Sequence, residues 1–215
     1  MKVQSKILIM AGAVVMIGIL IFALNPFQAI FSYRLLYLRR AALEISEALE
    51  RNSPIRVREN FYINNTILKL AINKPREQSL EILLNYTVLV VPYDSPDLYI
   101  KGKPGRKFEK FRSVHVYIKD GFLYVDPKPV VGVEEETVYG RKLYKIVVTI
   151  VKIIGDLKPG AVLKFNHTEV TLYERFYDYA GEALVYIGGD KAVELKVTSK
   201  TMLEVYIVVE YWFSF

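Results

Sequence analysis

The sequence predicts a mainly β protein, in which an N-terminal transmembrane helix continues into an amphipathic helix and then into an antiparallel β-sandwich. Three observations predict this class. A charge-free apolar run lies near the N-terminus, a helical spacing of apolar residues follows it, and β-branched and aromatic runs separated by turn signals fill the rest of the 215 residues. The expected divisions are an anchor at 1–29, a helix at 30–53 and an extracytoplasmic β-domain at 54–215.

The anchor is predicted from Ile7–Leu24, which holds 18 apolar residues in a row. As a helix this run is about 27 Å long, close to the ~30 Å of hydrocarbon in a bilayer. A cleaved secretory signal is the alternative, because Lys2 and Lys6 precede the run. However, Asn25-Pro26-Phe27-Gln28 is a poor match to a small-residue cleavage site. We therefore expect residues 7–24 to stay in the chain and to contact membrane lipid.

The orientation is predicted from glycosylation sequons, since basic residues flank the anchor on both sides. Asn-x-Thr sequons begin at Asn64, Asn85 and Asn166, and such sites are glycosylated only outside the cytoplasm. The expected location is the cell membrane, with a cytoplasmic N-terminus and an exported β-domain.

The segment after the anchor is predicted to form an amphipathic helix. Apolar residues recur at alternating spacings of four and three, which is typical of a heptad-like seam. Asn52-Ser53-Pro54 ends the helix, because a proline disfavours helical geometry in the residue before it. The seam can pack on the chain's own β-domain or on helices of neighbouring subunits. Its residues are Phe31, Leu35, Leu38, Ala42, Ile45 and Leu49.

The β-domain is predicted from a series of short apolar runs. They cover 55–63, 66–72, 80–91, 112–119, 122–125, 143–154, 161–165, 169–176, 183–187, 192–198 and 203–215. Asp120-Gly121 is the best hairpin signal, and Gly188-Gly189-Asp190 is a second one. The terminal run, Leu203–Phe215, alternates strictly; it can be an internal strand or can add to a neighbour's sheet.

The composition argues against most catalytic chemistry. The chain has no Cys and two His, which excludes thiolate metal sites and makes a multi-histidine site improbable. It also lacks a P-loop and a Gly-x-Ser-x-Gly elbow. We expect His115 on the polar face of a strand and His167 in a turn. The sequence therefore predicts no enzyme, no cofactor and no metal.

A basic stretch is the strongest local charge feature. It is interleaved with phenylalanines and is a candidate contact for anionic groups through Lys101, Lys103, Arg106, Lys107, Lys110 and Arg112. The alternative is a solvated loop. Residues 1–52 hold six basic and three acidic residues, which leaves 23 and 20 for the rest of the chain. This balance argues against a nucleic-acid partner, and Glu134-Glu135-Glu136 forms an acidic counter-patch.

The order of a short basic tail, an apolar helix, an amphipathic continuation and a β-domain resembles that of type IV pilin-like proteins. It is also similar to the membrane-anchored β-sandwich subunits of the archaellum. The resemblance covers the layout of the chain, whereas Ser5-Lys6-Ile7 departs from a prepilin-peptidase site and residues 7–24 lack the usual pilin glutamate. It implies an archaeal surface protein with protein partners, and the composition is typical of thermophiles.

The sequence thus favours a non-enzymatic surface protein, which is a filament subunit or an accessory of a surface appendage. A membrane-tethered carbohydrate- or ligand-binding module is the alternative, favoured by the sixteen Tyr and the basic stretch. An exported hydrolase is the third hypothesis, although no carboxylate pair carries a recognisable signature.

Overall fold

The computed structural model describes residues 32–73, 80–102, 114–187 and 190–215, and most of these residues lie in strands. The predicted mainly β class is confirmed, with one helix in the described residues, α1 (residues 32–51), ahead of the strands. The strands are β1 (Ile55–Arg56), β2 (Tyr62–Asn73), β3 (Leu80–Pro92), β4 (Leu98–Lys101), β5 (His115–Lys119), β6 (Phe122–Asp126), β7 (Val130–Val138), β8 (Arg141–Ile154), β9 (Val162–Ile187) and β10 (Asp190–Ser214).

Helix α1 ends where the sequence predicted a stop. Asn52 follows it with φ 51°, and the Ser53 amide donates to the Ala48 carbonyl at 3.0 Å, which closes the last turn with a left-handed cap. The chain divides into two compact units between Arg40 and Ala41. The second half of α1 therefore belongs to the same unit as the strands.

All ten strands form one hydrogen-bonded network in the order β4-β5-β6-β3-β2-β9-β10-β8-β7, and β1 pairs with the start of β9. The pairings are antiparallel except between β8 and β10, which are parallel. This exception to the predicted antiparallel arrangement has a topological reason. β8 and β9 run in opposite directions and β10 lies between them, so β10 must be parallel to one of its two neighbours.

β9 and β10 pair with each other as a long two-stranded ribbon. This ribbon joins one half of the network, β2 to β6, to the other half, β7 and β8. Separate predicted strands are joined in it: 161–165, 169–176 and 183–187 fall largely in β9, and 192–198 and 203–215 in β10. The ribbon loses regularity at Asp178 and Gly181, which have positive φ, and at a register shift between Val197 and Thr201. The C-terminal end of β9 pairs with β2, and the N-terminal end of β9 pairs with β1.

The two halves of the network meet in a common core. β3 approaches β8 directly, because the Ile153 amide donates to the Thr87 hydroxyl at 3.1 Å. The core cluster combines residues of β2 and β3, such as Leu70 and Leu84, with residues of β8 and β10, such as Val148 and Val205.

Two hairpin turns have the geometry that a tight antiparallel connection needs. The predicted turn at Asp120-Gly121 joins β5 to β6, with φ of 51° and 75°. The turn at Tyr139-Gly140, between β7 and β8, has nearly the same values, 50° and 73°, and was not predicted because a tyrosine is not a turn signal. Strands β4 and β7 were also missed.

The sequence left two alternatives for the terminal strand: an internal strand, or a strand that adds to a neighbour's sheet. The observed pairing decides between them. β10 pairs with β9 along most of its length, and with β8 on the other side from Met202 to Phe213. The predicted terminal strand is therefore internal from Met202 to Phe213, and the backbone of these residues is not available to a neighbour's sheet.

The predicted anchor, Ile7–Leu24, lies outside the described residues. Within the part of the chain that the structure describes, no helix combines the length and the apolar character needed to cross a bilayer.

Candidate functional site

Several strand edges are open, wholly or in part, among the described residues: β2 has no second partner at 62–69, β3 none at 80–88 and β10 none at 190–201. β4 and β7 end the strand order, and β9 is open in its middle because its partners on one side cover only its ends. β1 pairs at Val162 and Leu163, and β2 pairs from Leu184 to Ile187. We call residues 164–183 the β9 edge. In the described chain, these residues pair with β10 alone.

The β9 edge presents apolar side chains to solvent. The exposed fractions are 61% for Val170, 40% for Leu172, 46% for Tyr173 and 71% for Tyr177. Monomeric proteins seldom leave a long strand with exposed apolar side chains unpaired, since its free amides and carbonyls can pair with another chain. The β9 edge therefore has the two properties of a surface that pairs with another strand, namely free backbone groups and exposed apolar side chains.

The two strands that end the network, β4 and β7, lack this combination. β4 has four residues. β7 carries Glu134-Glu135-Glu136, all exposed, and Glu135 and Glu136 form ion pairs with Lys142 and Lys145 of β8. Short strands and charged strands are two common ways of protecting an edge from association. Of β4, β7 and β9, only the β9 edge is both long and apolar, and the open part of β2 also exposes Tyr62 and Ile67.

Polar contacts with β10 fix the side chains along the β9 edge. The Arg175 Nε donates to Glu204 Oε1 at 2.7 Å, and the Tyr206 hydroxyl donates to Glu204 Oε2 at 2.7 Å. The hydrogen bond to Glu204 raises the pKa of Tyr206. Further along, the Tyr211 hydroxyl donates to Glu169 Oε2 at 3.0 Å, which raises the pKa of Tyr211. These bonds hold the strand in place without using its free backbone edge.

A second group of polar and aromatic side chains lies on β4, β5 and β6. The Tyr99 hydroxyl contacts Nδ1 of His115, and the Tyr117 hydroxyl donates to Asp126 Oδ2 at 3.4 Å. His115 and Asp126 are opposite each other in the β5–β6 pair. The rings of Tyr99, Tyr117 and Tyr124 stack in a row, with centroids 6.3 and 4.8 Å apart. We call these five residues the tyrosine cluster.

The centre of the tyrosine cluster is buried, which corrects the prediction that His115 lies on a polar face. His115 is 5% exposed and Asp126 is 3% exposed. The physical reason is the end of α1: the Glu50 carboxylate accepts the Val114 amide at 3.1 Å, next to His115, and also binds Lys101 at 3.0 Å. Strand β5 is therefore covered on the side where solvent was expected.

Burial shifts the pKa values of the tyrosine cluster. It lowers the pKa of His115 to about 4, with a further lowering by Lys128 and an opposing effect of Glu50. Burial also raises the pKa of Asp126, and it raises the pKa of Tyr99 to about 12. A histidine with a pKa near 4 is a poor general acid or base at neutral pH. The cluster is therefore better suited to a structural role than to proton transfer.

Metal binding has no support in the described residues, which contain no group of three or more His, Asp or Glu side chains able to hold an ion.

We expect His115→Gln to flatten the acid side of the stability profile. Between pH 6.5 and about 4, the unfolded chain binds a proton that the folded chain excludes. The free energy of unfolding therefore decreases as the pH is lowered through this range. Removing the imidazole should abolish a loss of about 2 kcal/mol between pH 7 and pH 4.5, since this range extends two units below the unfolded-state pKa and one unit corresponds to about 1.4 kcal/mol. Denaturant unfolding at pH 7 and pH 4.5 measures this difference.

Asp126 contributes an opposite slope, because its raised pKa favours the folded state as the pH falls. This slope is common to both proteins, so the comparison isolates His115. Equal pH dependence in the two proteins would show that His115 titrates as it does in the unfolded chain.

The structure buries most of the predicted helix seam. Leu38, Ala42, Ile45 and Leu49 are at most 3% exposed, and Leu35 is half-buried, whereas Phe31 lies outside the described residues. Ala42, Ile45 and Leu49 belong to the unit that contains the strands. Their burial in this unit favours the first of the two alternatives, packing on the chain's own β-domain.

The predicted basic contact surface is described only at Lys101. Its ammonium group donates to Glu50 and to Ser46, both at 3.0 Å, so it is engaged within the domain. The other five residues lie outside the described part: Lys103, Arg106, Lys107, Lys110 and Arg112.

The three sequon asparagines lie in strands and are exposed: Asn64 in β2, Asn85 in β3 and Asn166 in β9. The turn predicted at His167 is wrong. This residue lies within β9 and stacks on Tyr211, with ring centroids 4.8 Å apart. The intervening polar residues, Asn166 and Thr168, hid the continuity of the strand.

Comparisons with protein families, with curated proteins and with solved structures gave no match. Sequence reasoning placed 169–176 in a strand, but it missed the open edge. The edge depends on where β1 and β2 pair, and these strands lie about a hundred residues earlier in the chain.

Proposed function

We propose that this protein is a single-pass membrane-anchored surface protein whose β-domain takes part in a protein assembly through the β9 edge. The observation that carries the proposal is this edge: residues 164–183 pair on one side only and expose Val170, Leu172 and Tyr177, whereas the two strands that end the network are short or acidic. Strand addition gives affinity through the backbone and specificity through alternate side chains.

The anchor in this proposal rests on the sequence. The run Ile7–Leu24 has the length and apolar character of a membrane helix. The exposed positions of Asn64, Asn85 and Asn166 are compatible with glycosylation in an exported domain. We interpret the network as a sandwich of two facing sheets, joined by the β9–β10 ribbon. The resemblance to pilin-like and archaellum proteins rests on the order of basic tail, apolar run, amphipathic helix and β-domain in the sequence.

We expect the full chain to remain in the membrane pellet after an alkaline carbonate wash and to assemble there. Assembly is measured by chemical cross-linking in the washed membranes. Val170→Lys combined with Leu172→Lys should abolish the cross-linked products, because it places charges on the apolar side of the edge. The matched control is Tyr139→Lys in the β7–β8 turn, where the side chain is fully exposed.

The two measurements test separate parts of the proposal. Release of the chain by carbonate would overturn the anchor. Unchanged cross-linking in the double variant would overturn the role of the β9 edge, provided that its circular dichroism spectrum matches the parent protein.

A ligand-binding module is the second candidate function, because Tyr99, Tyr117 and Tyr124 stack in a row. Of these, Tyr99 is 46% exposed and the other two are half-buried. The single tryptophan, Trp212, is fully buried and offers no stacking surface. Saturable binding of soluble oligosaccharides that is lost in Tyr99→Ala would favour this function over assembly.

A further inference from the structure

We propose that the β9 edge pairs with the β9 edge of a second copy of this chain, antiparallel, with Val170 opposite its own copy. This inference rests on the proposed function and names the partner at its assembly surface. It follows from the regular part of the edge, from the symmetry of a two-chain pairing, and from the charges that each register would bring together.

The regular part of the edge is short. Residues His167–Leu172 pair with Tyr206–Tyr211 of β10 without interruption, and register shifts occur on both sides of this run. Such shifts bend a strand and disturb its ladder. A partner strand can therefore pair in regular geometry only along these six residues.

Symmetry restricts the registers that are available to two identical strands. When a two-fold axis relates two antiparallel strands in one sheet, one residue lies opposite its own copy, and residues at equal distances on either side lie opposite each other. For a run of six residues, the longest pairings are centred on Glu169 or on Val170.

Charge distinguishes these two registers. A pairing centred on Glu169 would place two carboxylates directly opposite each other, which is destabilising. A pairing centred on Val170 places Glu169 opposite the Thr171 hydroxyl and Thr168 opposite Leu172. In this register no like charges are directly opposite within the run.

Apolar burial favours the same register. Val170 is 61% exposed and lies beside Val208 of β10, with which it pairs directly. Two copies paired at Val170 would form a continuous apolar row of Val208, Val170 and their two symmetry mates across four strands. Leu172, which is 40% exposed, would be covered by the methyl group of the opposite Thr168. Cross-strand pairs of this kind stabilise a sheet.

Anchoring in one membrane allows this small interface to hold two chains together. Five residue pairs bury much less than the about 1,200–2,000 Å² of stable soluble complexes. Anchoring both chains in one membrane raises their effective concentration, so that a weak pairing becomes populated. We therefore expect the pairing in membranes and not in dilute solutions of an isolated domain.

Cysteine cross-linking tests the register directly, because the chain contains no cysteine of its own. In membranes that contain the full-length Val170→Cys variant, mild oxidation should produce a disulfide-linked dimer. A disulfide requires Cα atoms within about 7 Å, a distance that residues opposite each other in paired strands satisfy. The matched control is Val138→Cys on the acidic β7 edge, which should give several-fold less dimer.

A second pair of variants tests the neighbouring positions. Glu169→Cys and Thr171→Cys should each give little dimer alone, and co-expression of the two should give the mixed disulfide. Stronger dimer formation by Glu169→Cys alone than by Val170→Cys would overturn the register. Equal dimer formation by Val170→Cys and Val138→Cys would overturn the self-pairing.

The anchor is scored in the same membranes by the carbonate wash. Retained chains without a Val170→Cys dimer overturn the self-pairing and leave the anchor intact. Chains that are washed off overturn the proposed function instead.

Discussion

Ile45→Asp is expected to unfold the β-domain. Ile45 is 1% exposed and belongs to the half of α1 that shares a compact unit with the strands. Removing a buried isoleucine side chain and burying a charge in its place should lower the free energy of unfolding by more than about 4 kcal/mol. Such a loss is a large part of the about 5–15 kcal/mol that stabilises a typical domain. Denaturant unfolding followed by far-ultraviolet circular dichroism measures it.

Leu36→Asp is the matched control on the same helix. Leu36 is 62% exposed, so the substitution should change the free energy of unfolding by less than about 0.5 kcal/mol. Ile45→Val gives a graded measurement if the aspartate variant does not fold, with an expected loss of about 1 kcal/mol. An Ile45→Asp protein as stable as the Leu36→Asp protein would show that Ile45 does not contribute to the core.

This result also separates two roles of the helix seam. If the seam joined neighbouring subunits, Ile45→Asp would impair assembly in a folded protein. Because Ala42, Ile45 and Leu49 are buried within their own unit, we expect the loss of folding to come first. Assembly is better tested at Val170 on the β9 edge, where substitution leaves the core intact.

The elements that the sequence predicted well have local causes. The end of α1 follows from Asn52-Ser53-Pro54, and the β5–β6 hairpin follows from Asp120-Gly121, whose φ values no distant contact has to impose. The alternation in Leu203–Phe215 correctly predicted a strand for the same reason. In each case, the information lies within a few neighbouring residues.

The features that the sequence did not predict depend on distant parts of the chain. The 202–213 part of β10 is internal because β8 and β9 flank it, and His115 is buried because Glu50 binds the neighbouring amide from the end of α1. The open β9 edge likewise depends on how little of β9 is covered by β1 and β2. Periodicity within a strand carries no information about such neighbours, so the candidate surface emerged only from the pairing pattern.

Trp212→Ala is expected to have the second large effect. Trp212 is the largest fully buried side chain, and its ring packs edge-on against Phe165, with centroids 6.0 Å apart. Loss of this ring should lower the free energy of unfolding by about 3–5 kcal/mol. Circular dichroism in denaturant measures the loss, since the variant has no tryptophan fluorescence. Tyr139→Ala, at a fully exposed turn residue, is the control and should cost less than about 0.5 kcal/mol.

Trp212→Phe should be much milder, at about 1–2 kcal/mol. The indole Nε1 is buried and has no hydrogen-bond partner among the described residues, so phenylalanine removes an unsatisfied donor while it keeps most of the apolar contact. Equal losses for the alanine and phenylalanine variants would show that the apolar contacts that a phenyl ring can keep do not provide the stability.

The two Trp212 variants should also differ at the β9 edge. Trp212 lies opposite Phe165, beyond the register shift that begins the regular run at His167. A cavity at this position would free β9 to change its alignment on β10, and Val170 would then no longer be fixed opposite its copy. We therefore expect Trp212→Ala to reduce the Val170→Cys dimer in membranes and Trp212→Phe to retain it. Equal dimer yields in both backgrounds would show that the pairing does not depend on the alignment that Trp212 sets.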